Sequence, residues 1–289
     1  MPGFASILNP APGVPNNKAI QVFYGASNAQ LAMELRDTST SDDGEVVISS
    51  KDTDPAGFIV NPSQLTSTSM SHVNAVFGFT KQKVVSTTKI DVSLLSPVFE
   101  VLASTDIKNT TIASCSSKDK SWIYYLSGAD ESKLKIVQLQ VGGGSTTLKA
   151  SDMRYGTSLA AYYDTKSNNR YVIFQHKVNS GENGDIRELY EYKVDSGSEE
   201  ISNTGDAAKL TSIATVYHSG KTYLYYTDND YELRVITKEN GNWGSSSGVS
   251  DSDTVSSSSQ ITAISSGDAN HLFYTNSSNS TTHLRLPYA

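Results

Sequence analysis

A short phrase recurs along this chain and limits what it can fold into. It is a strand of apolar and small residues, then a polar gap, then an aromatic strand. The clearest copies are Leu159-Ala160-Ala161-Tyr162-Tyr163-Asp164 with Tyr171-Val172-Ile173-Phe174-Gln175, and Ile213-Ala214-Thr215-Val216-Tyr217-His218 with Tyr223-Leu224-Tyr225-Tyr226-Thr227. Aromatic and β-branched residues in short runs mark strands. Drifted copies of the first strand begin at Phe4, Val73, Ile112, Leu159, Ile213 and Ile261, which makes six. The last three intervals are 47, 54 and 48 residues (112 to 159, 159 to 213, 213 to 261), after a first of 69 and a second of 39. Such a period predicts one four-stranded blade per copy.

The expected fold is therefore all-β: one domain over residues 1–289, a six-bladed β-propeller of four-stranded antiparallel blades. Second strands are predicted at Ile20–Tyr24, Trp122–Tyr125, Tyr171–Gln175, Tyr223–Thr227 and His271–Tyr274, with Lys83-Val84-Val85 serving the second unit. Third strands follow at Gln30–Leu35, Leu134–Val137, Asp185–Tyr190, Glu232–Ile236 and His283–Leu286. Turns rich in Asn, Asp, Gly and Ser separate them, as tight hairpins require. Fourth strands are poorly marked. The last unit ends at Ala289, and a strand from the N-terminal segment is expected to complete it.

Composition then removes function classes. A formal net charge of −7 argues against a nucleic-acid surface, which needs clustered Lys and Arg. No apolar run is long enough to span a membrane as a helix. Cys115 is the only cysteine and sits in the small-residue phrase, so it reads as a buried structural thiol. The five histidines show no metal-ligand spacing, and neither a metal nor a cofactor is expected. Asp228-Asn229-Asp230 lacks the glycine and distal glutamate of a calcium loop and reads as a hairpin turn. No Gly-x-Ser-x-Gly elbow or phosphate loop is present. Met1 to Pro15 does not read as a signal peptide, whereas Asn109, Asn276 and Asn279 open acceptor sequons that fit a secretory route. Location stays open on these signs. Sixteen tyrosines suit half-buried strands and binding faces alike.

The repeat resembles the fungal fucose-specific lectin family. The fourth unit carries the likeness best, through Leu159-Ala160-Ala161, Val172-Ile173-Phe174-Gln175 and Ile186-Arg187-Glu188; the fifth adds Trp243 as a trailing tryptophan. The resemblance implies six blades and a sugar pocket between adjacent blades. That pocket would use a second-strand Arg, a third-strand Glu and a stacking aromatic. In this chain the Arg position falls on Gln21, Trp122, Tyr171, Tyr223 and His271, none of them Arg. The Glu position is kept at Glu188 and at Glu34, and falls on Ile136, Val235 and Leu286 elsewhere.

Members of the same family resemble a second function, intermolecular hetero-Diels–Alder cyclisation of a tropolone quinone methide with a humulene-type terpene. Holding two apolar reactants together is chiefly an entropic task, which suits a Tyr-rich, Arg-depleted scaffold. On this leading reading Tyr171, Glu188 and His176 are the catalytic candidates, and Trp122, Tyr223, His271 and Gln21 the ligand-binding ones. The partners would be small apolar or aromatic substrates. The alternative is a lectin with few surviving sites for fucosylated glycans, and a propeller used only for protein contacts is the third. A homodimer is among the expected assemblies.

Overall fold

The computed structural model describes residues 3–26, 30–39, 45–47, 58–70, 72–82, 88–177 and 187–288. Blade 1 is β1 (Phe4–Leu8), β2 (Ile20–Gly25), β3 (Leu31–Arg36) and β4 (Glu45–Val47). Blade 2 is β5 (Thr66–Met70), β6 (Val73–Thr80), β7 (Lys89–Ser96) and β8 (Glu100–Asp106). Blade 3 is β9 (Ile112–Ser116), β10 (Ser121–Ser127), β11 (Lys135–Gln140) and β12 (Ser145–Thr147). Blade 4 is β13 (Ala160–Asp164), β14 (Asn169–Gln175), β15 (Leu189–Lys193) and β16 (Gly197–Ile201). Blade 5 is β17 (Ile213–His218), β18 (Lys221–Thr227), β19 (Leu233–Glu239), β20 (Asn242–Trp243) and β21 (Ser247–Gly248). Blade 6 is β22 (Thr262–Ser266), β23 (Ala269–Thr275) and β24 (Thr281–Pro287).

All pairings are antiparallel, and the first strands contact one another in a closed ring, β1 against both β5 and β22. The six-bladed propeller and its antiparallel blades are thus as the repeat predicts. Two details differ, and part of the prediction falls outside the described residues. The second unit begins at β5, not at Val73, because Thr66-Ser67-Thr68 replaces the small apolar pattern with hydroxyls; Val73 opens the second strand instead. Lys83-Val84-Val85 lies outside the described residues, as do Asp185 and Ile186. No N-terminal strand completes blade 6 among the described residues, since β1 is the inner strand of blade 1.

The core is distributed between blades, because each sheet buries both faces. Val172 and Phe174 pack with Trp122, Tyr124 and Leu126 of blade 3, while Ile173 and Tyr171 pack with Leu224, Tyr226 and Ile236 of blade 5. Alternation along β14 sends neighbours to opposite sides. Analogous clusters join blades 2 and 3, 5 and 6, 1 and 2, and 6 and 1. At about 25 cal/mol per Å² of apolar area, this shared burial is the main stabilising term.

Two polar devices hold the blades in register. Thr157, Thr211 and Ser259, each two residues before an inner-strand phrase, accept from the amides of Gln175, Thr227 and Thr275 at 2.7–2.8 Å. Each also donates to the next residue's carbonyl, so one hydroxyl fastens a blade's start to the end of its second strand. Gln260 ties the ring's ends. Its Oε1 accepts from Phe4 N at 2.8 Å and Leu65 N at 3.0 Å, and its Nε2 donates to Leu65 O at 2.8 Å. Gly3 is required beside it: a Cβ there would lie 2.2 Å from Ser63 O. Cys115 is buried and its thiol is pushed up to about 12 by desolvation, in keeping with an inert structural role.

Candidate functional site

The five second-strand positions predicted to line a pocket are structurally equivalent, but each stands at a different blade interface. Gln21, Trp122, Tyr171, Tyr223 and His271 pair with Ile7, Cys115, Tyr162, Val216 and Ile264 of their inner strands. Gln21 accepts from Asn74 Nδ2 of blade 2 at 2.8 Å. Trp122 stacks on Tyr163 of blade 4, and Tyr223 lies against Tyr288, beyond the last strand of blade 6. His271 is fully buried at the junction of blades 6 and 1. No two of the five share a chamber.

Tyr171, Glu188 and His176 do not form one site either. A third-strand residue can share a ligand with Tyr171 only if it lies on the same face, opposite or diagonal to it. Lys193 is opposite Tyr171, and Glu191 is opposite Ile173, which makes Glu191 the inward diagonal neighbour. Glu188 precedes β15 rather than lying in it as the sequence predicts; its carbonyl accepts from His176 N at 3.0 Å, and the His176 ring stacks at 4.2 Å on Tyr190, which packs toward blade 3. Burial, followed by the Glu200 carboxylate, holds Glu188 above the usual carboxylate range.

The position diagonal to each second-strand candidate can be read around the ring. Blade 1 has Met33, blade 3 Gln138, blade 4 Glu191, blade 5 Val235 and blade 6 His283; in blade 2 Leu94 stands opposite Phe77. Glu191 is the one carboxylate in this set. Its side chain is only 5% exposed, and it accepts from Tyr162 Oη at 2.5 Å. It also pairs with the Lys238 ammonium, which reaches across from blade 5. Lys238 Nζ lies 4.6 Å from the Tyr171 ring centroid and 5.6 Å from that of Trp243. A cation over two aromatic faces gains from their quadrupoles while it neutralises the buried carboxylate.

Tyrosines extend this interface toward the axis. Tyr171 stacks on Tyr162 at 4.8 Å with 9° between planes, and Tyr162 on Tyr217 at 6.3 Å with 6°. Desolvation, then the Glu191 charge, pushes the Tyr162 hydroxyl far up, so it stays protonated and serves as a donor. Trp243 Nε1 is buried with no hydrogen-bond partner among the described residues.

The interface of blades 3 and 4 repeats the plan with less charge. The Arg170 guanidinium of blade 4 lies 4.8 Å over Trp122 and donates to Gln138 at 2.8 Å. In both places the cation comes from the following blade rather than from the second strand of the same blade. Glu191, Lys238, Gln138 and Arg170 were missed by sequence reasoning. The alternation Leu189-Tyr190-Glu191-Tyr192 is the signal that could have marked Glu191; nothing local marks the two cations.

Around the axis the six inner strands enclose a cavity of about 590 Å³. Hydroxyls link neighbouring blades along its wall. Ser6 meets Thr262 at 3.0 Å, Thr66 meets Ser114 at 2.7 Å, and Thr215 donates to Ala161 O at 3.2 Å. Among the described residues no cluster of His, Cys, Asp and Glu could hold a metal ion, and no helix is long and apolar enough to cross a membrane.

No family model matches the chain, and no curated protein matches it. Solved structures do. AofleA from Arthrobotrys oligospora superposes with a TM-score of 0.69 at 15% identity, over 100% of this chain and 83% of that one. A mutant of AofleA with three arginines replaced by alanine matches with the same TM-score. SapL1 lectin in complex with α-methyl fucoside gives 0.66 at 13% identity, over 98% and 92%. The fucose-specific lectin of Aleuria aurantia gives 0.68 at 15% identity, over 98% and 91%. At such identities the shared property is the architecture: this chain has the six-bladed propeller fold of the fungal fucose-specific lectins.

Proposed function

We propose that this propeller binds carbohydrate, with the interface of blades 4 and 5 as its site. One observation carries the reading. Glu191 is the single carboxylate among the equivalent diagonal positions, and a cation and a tryptophan of the next blade meet it there. Carboxylate and ammonium together can bracket sugar hydroxyls with charge-assisted hydrogen bonds. Tyr171 and Trp243 offer faces for the sugar's C–H side. The fold's similarity to lectins crystallised with α-methyl fucoside makes a fucose-type sugar the first candidate. Lys238 substitutes for the absent arginine without its fork, so binding is expected to be weak and sensitive to Lys238.

Titration calorimetry with α-methyl-L-fucoside, alongside a glycan array, tests this. Binding that disappears in Glu191→Gln and Lys238→Met supports it. Absence of binding to the fucoside and to every arrayed glycan would sink it.

The cycloaddition reading needs one chamber for two apolar reactants. Its candidates Trp122, Tyr171, Tyr223, His271 and Gln21 stand at separate interfaces, which ranks it second. Incubation with a tropolone quinone-methide precursor and a humulene-type terpene is its test. Product above the protein-free control, unchanged by Glu191→Gln, would reverse the ranking.

A further inference from the structure

The central cavity has a chemistry unlike the rest of the molecule. Charged residues make up 18% of the chain, yet none of the described residues lining the cavity is Asp, Glu, Lys or Arg. Its volume of about 590 Å³ lies within the range of small-molecule sites, roughly 300–1,000 Å³. Apart from the His218 imidazole no lining side chain offers a ready counter-charge, so desolvating a charged ligand there costs several kcal/mol by order of magnitude. The occupant is therefore neutral.

Its polarity follows from how the wall spends its protons. Ser67 Oγ donates to Ser6 O at 3.0 Å, Ser114 Oγ to Ser67 O at 3.0 Å, and Thr215 Oγ1 to Ala161 O at 3.2 Å. A hydroxyl whose one proton is committed between blades still has an acceptor lone pair. These three hydroxyls therefore present acceptors, not donors, to the cavity.

Its shape is asymmetric. At the starts of the inner strands Leu65, Ile112, Leu159, Ile213 and Ile261 are buried to 3% exposure or less. Toward the ends, blades 2 and 3 contribute Ser69 and Ser116, whereas blades 4 and 5 contribute the half-buried Tyr163 and Tyr217. The Tyr217 ring continues the stack that begins at Tyr171. One side of the exposed end is flat and aromatic; the other is small and polar.

We infer that the central cavity is a second ligand site, for a neutral flat aromatic molecule bearing hydroxyl donors, that is, a phenol. This inference does not rest on the sugar reading: Glu191, Lys238, Tyr171 and Trp243 are not among the cavity-lining residues, and Tyr162 is the side chain that touches both places. The probe is 2-naphthol, followed by its fluorescence on titration of the full chain, with 2-naphthalenesulfonate as the charged control. The expected result is saturable one-to-one binding of 2-naphthol, at least ten times tighter than the sulfonate. Tyr217→Leu removes the stacking face and Ala161→Leu fills the space; each is expected to weaken 2-naphthol binding at least tenfold. Added α-methyl fucoside leaves it unchanged. Far-ultraviolet circular dichroism confirms that each variant is folded, and Thr215→Val stands in for one that is not, with the same expected loss. No saturable binding, equal binding of the sulfonate, or binding indifferent to these cavity variants overturns the inference.

Discussion

Two blade interfaces use equivalent positions for opposite ends. Between blades 4 and 5, Tyr171 and its diagonal neighbour Glu191 receive a lysine from the next blade, and the side chains of the ion pair keep 5% and 13% exposure. Between blades 6 and 1 the same two positions are His271 and His283, whose Nδ1 and Nε2 lie 2.9 Å apart. His271 is fully buried and its Nε2 has no hydrogen-bond partner among the described residues. Desolvation, then the His283 and Arg285 charges, lowers its pKa to about 4, so it is neutral near pH 7. One interface keeps charge next to aromatic faces, where a ligand could use it. The other gives the same two positions to hydrogen-bonded histidines, and its buried ion pair, Arg36 with Glu34, stands instead on the third strand of blade 1 opposite Ile20 and Val22. A propeller can thus vary the chemistry of a register position blade by blade, provided that each buried polar group finds its own solution.

The contrast can be broken most strongly at Glu191. Glu191→Ala leaves the Lys238 ammonium poorly hydrated and without its counter-charge, so a loss of about 3–5 kcal/mol is expected in urea unfolding. The double change Glu191→Gln with Lys238→Met is expected to recover most of that loss. A loss from Glu191→Ala under about 1 kcal/mol would mean that the pair behaves as an exposed one.

Closure comes next. Gln260→Ala removes the acceptor of two buried amides, Phe4 N and Leu65 N, at about 1–3 kcal/mol for each group left unpaired. Amide exchange should then accelerate first at Phe4 and Leu65, where the chain enters β1 and β5. A uniform acceleration over all six blades would show that the ring has no weak seam.

A smaller effect separates the two interfaces by pH. His271 binds its proton less readily folded than unfolded, where its value is about 6.5. Between pH 6.5 and about 4 the unfolded chain therefore holds the extra proton, and stability falls as the pH falls through this window. Above pH 6.5 the group contributes no slope. The melting temperature of His271→Phe is expected to drop less between pH 7 and pH 5 than that of the parent protein. Equal drops would remove His271 from the account.

The least change is expected at Arg170, which lies over Trp122 but is only partly buried. Arg170→Ala should cost about 0.5–1 kcal/mol. A larger cost would place the blade 3–4 interface in the same class as that of blades 4 and 5.

Much of the frame was legible. Inner strands of alternating small and apolar residues, such as Ile213-Ala214-Thr215-Val216, gave five of six blade starts, because close packing around an axis restricts side-chain size. The sixth was misplaced because Thr66-Ser67-Thr68 fills the same role with hydroxyls bonded across blades. The site was less legible. Placing Glu188 rather than Glu191 beside Tyr171 is a question of hairpin register, and an error of odd length exchanges the faces of a strand. Thirteen residues separate Gln175 from its partner Leu189, too many for the register to be counted from sequence alone. Lys238 lies 47 residues from Glu191 and meets it only through the packing of two blades. Periodicity reports which face is buried, but not which neighbour that face will find.

The manner of closure has a consequence for ancestry. Each blade here is one uninterrupted stretch of chain, and β1 meets β22 side by side rather than lending a strand to blade 6. A unit bounded in this way can be copied, lost or moved to the other end of a gene without cutting any sheet. Circular permutants opened in the segments between blades should therefore fold.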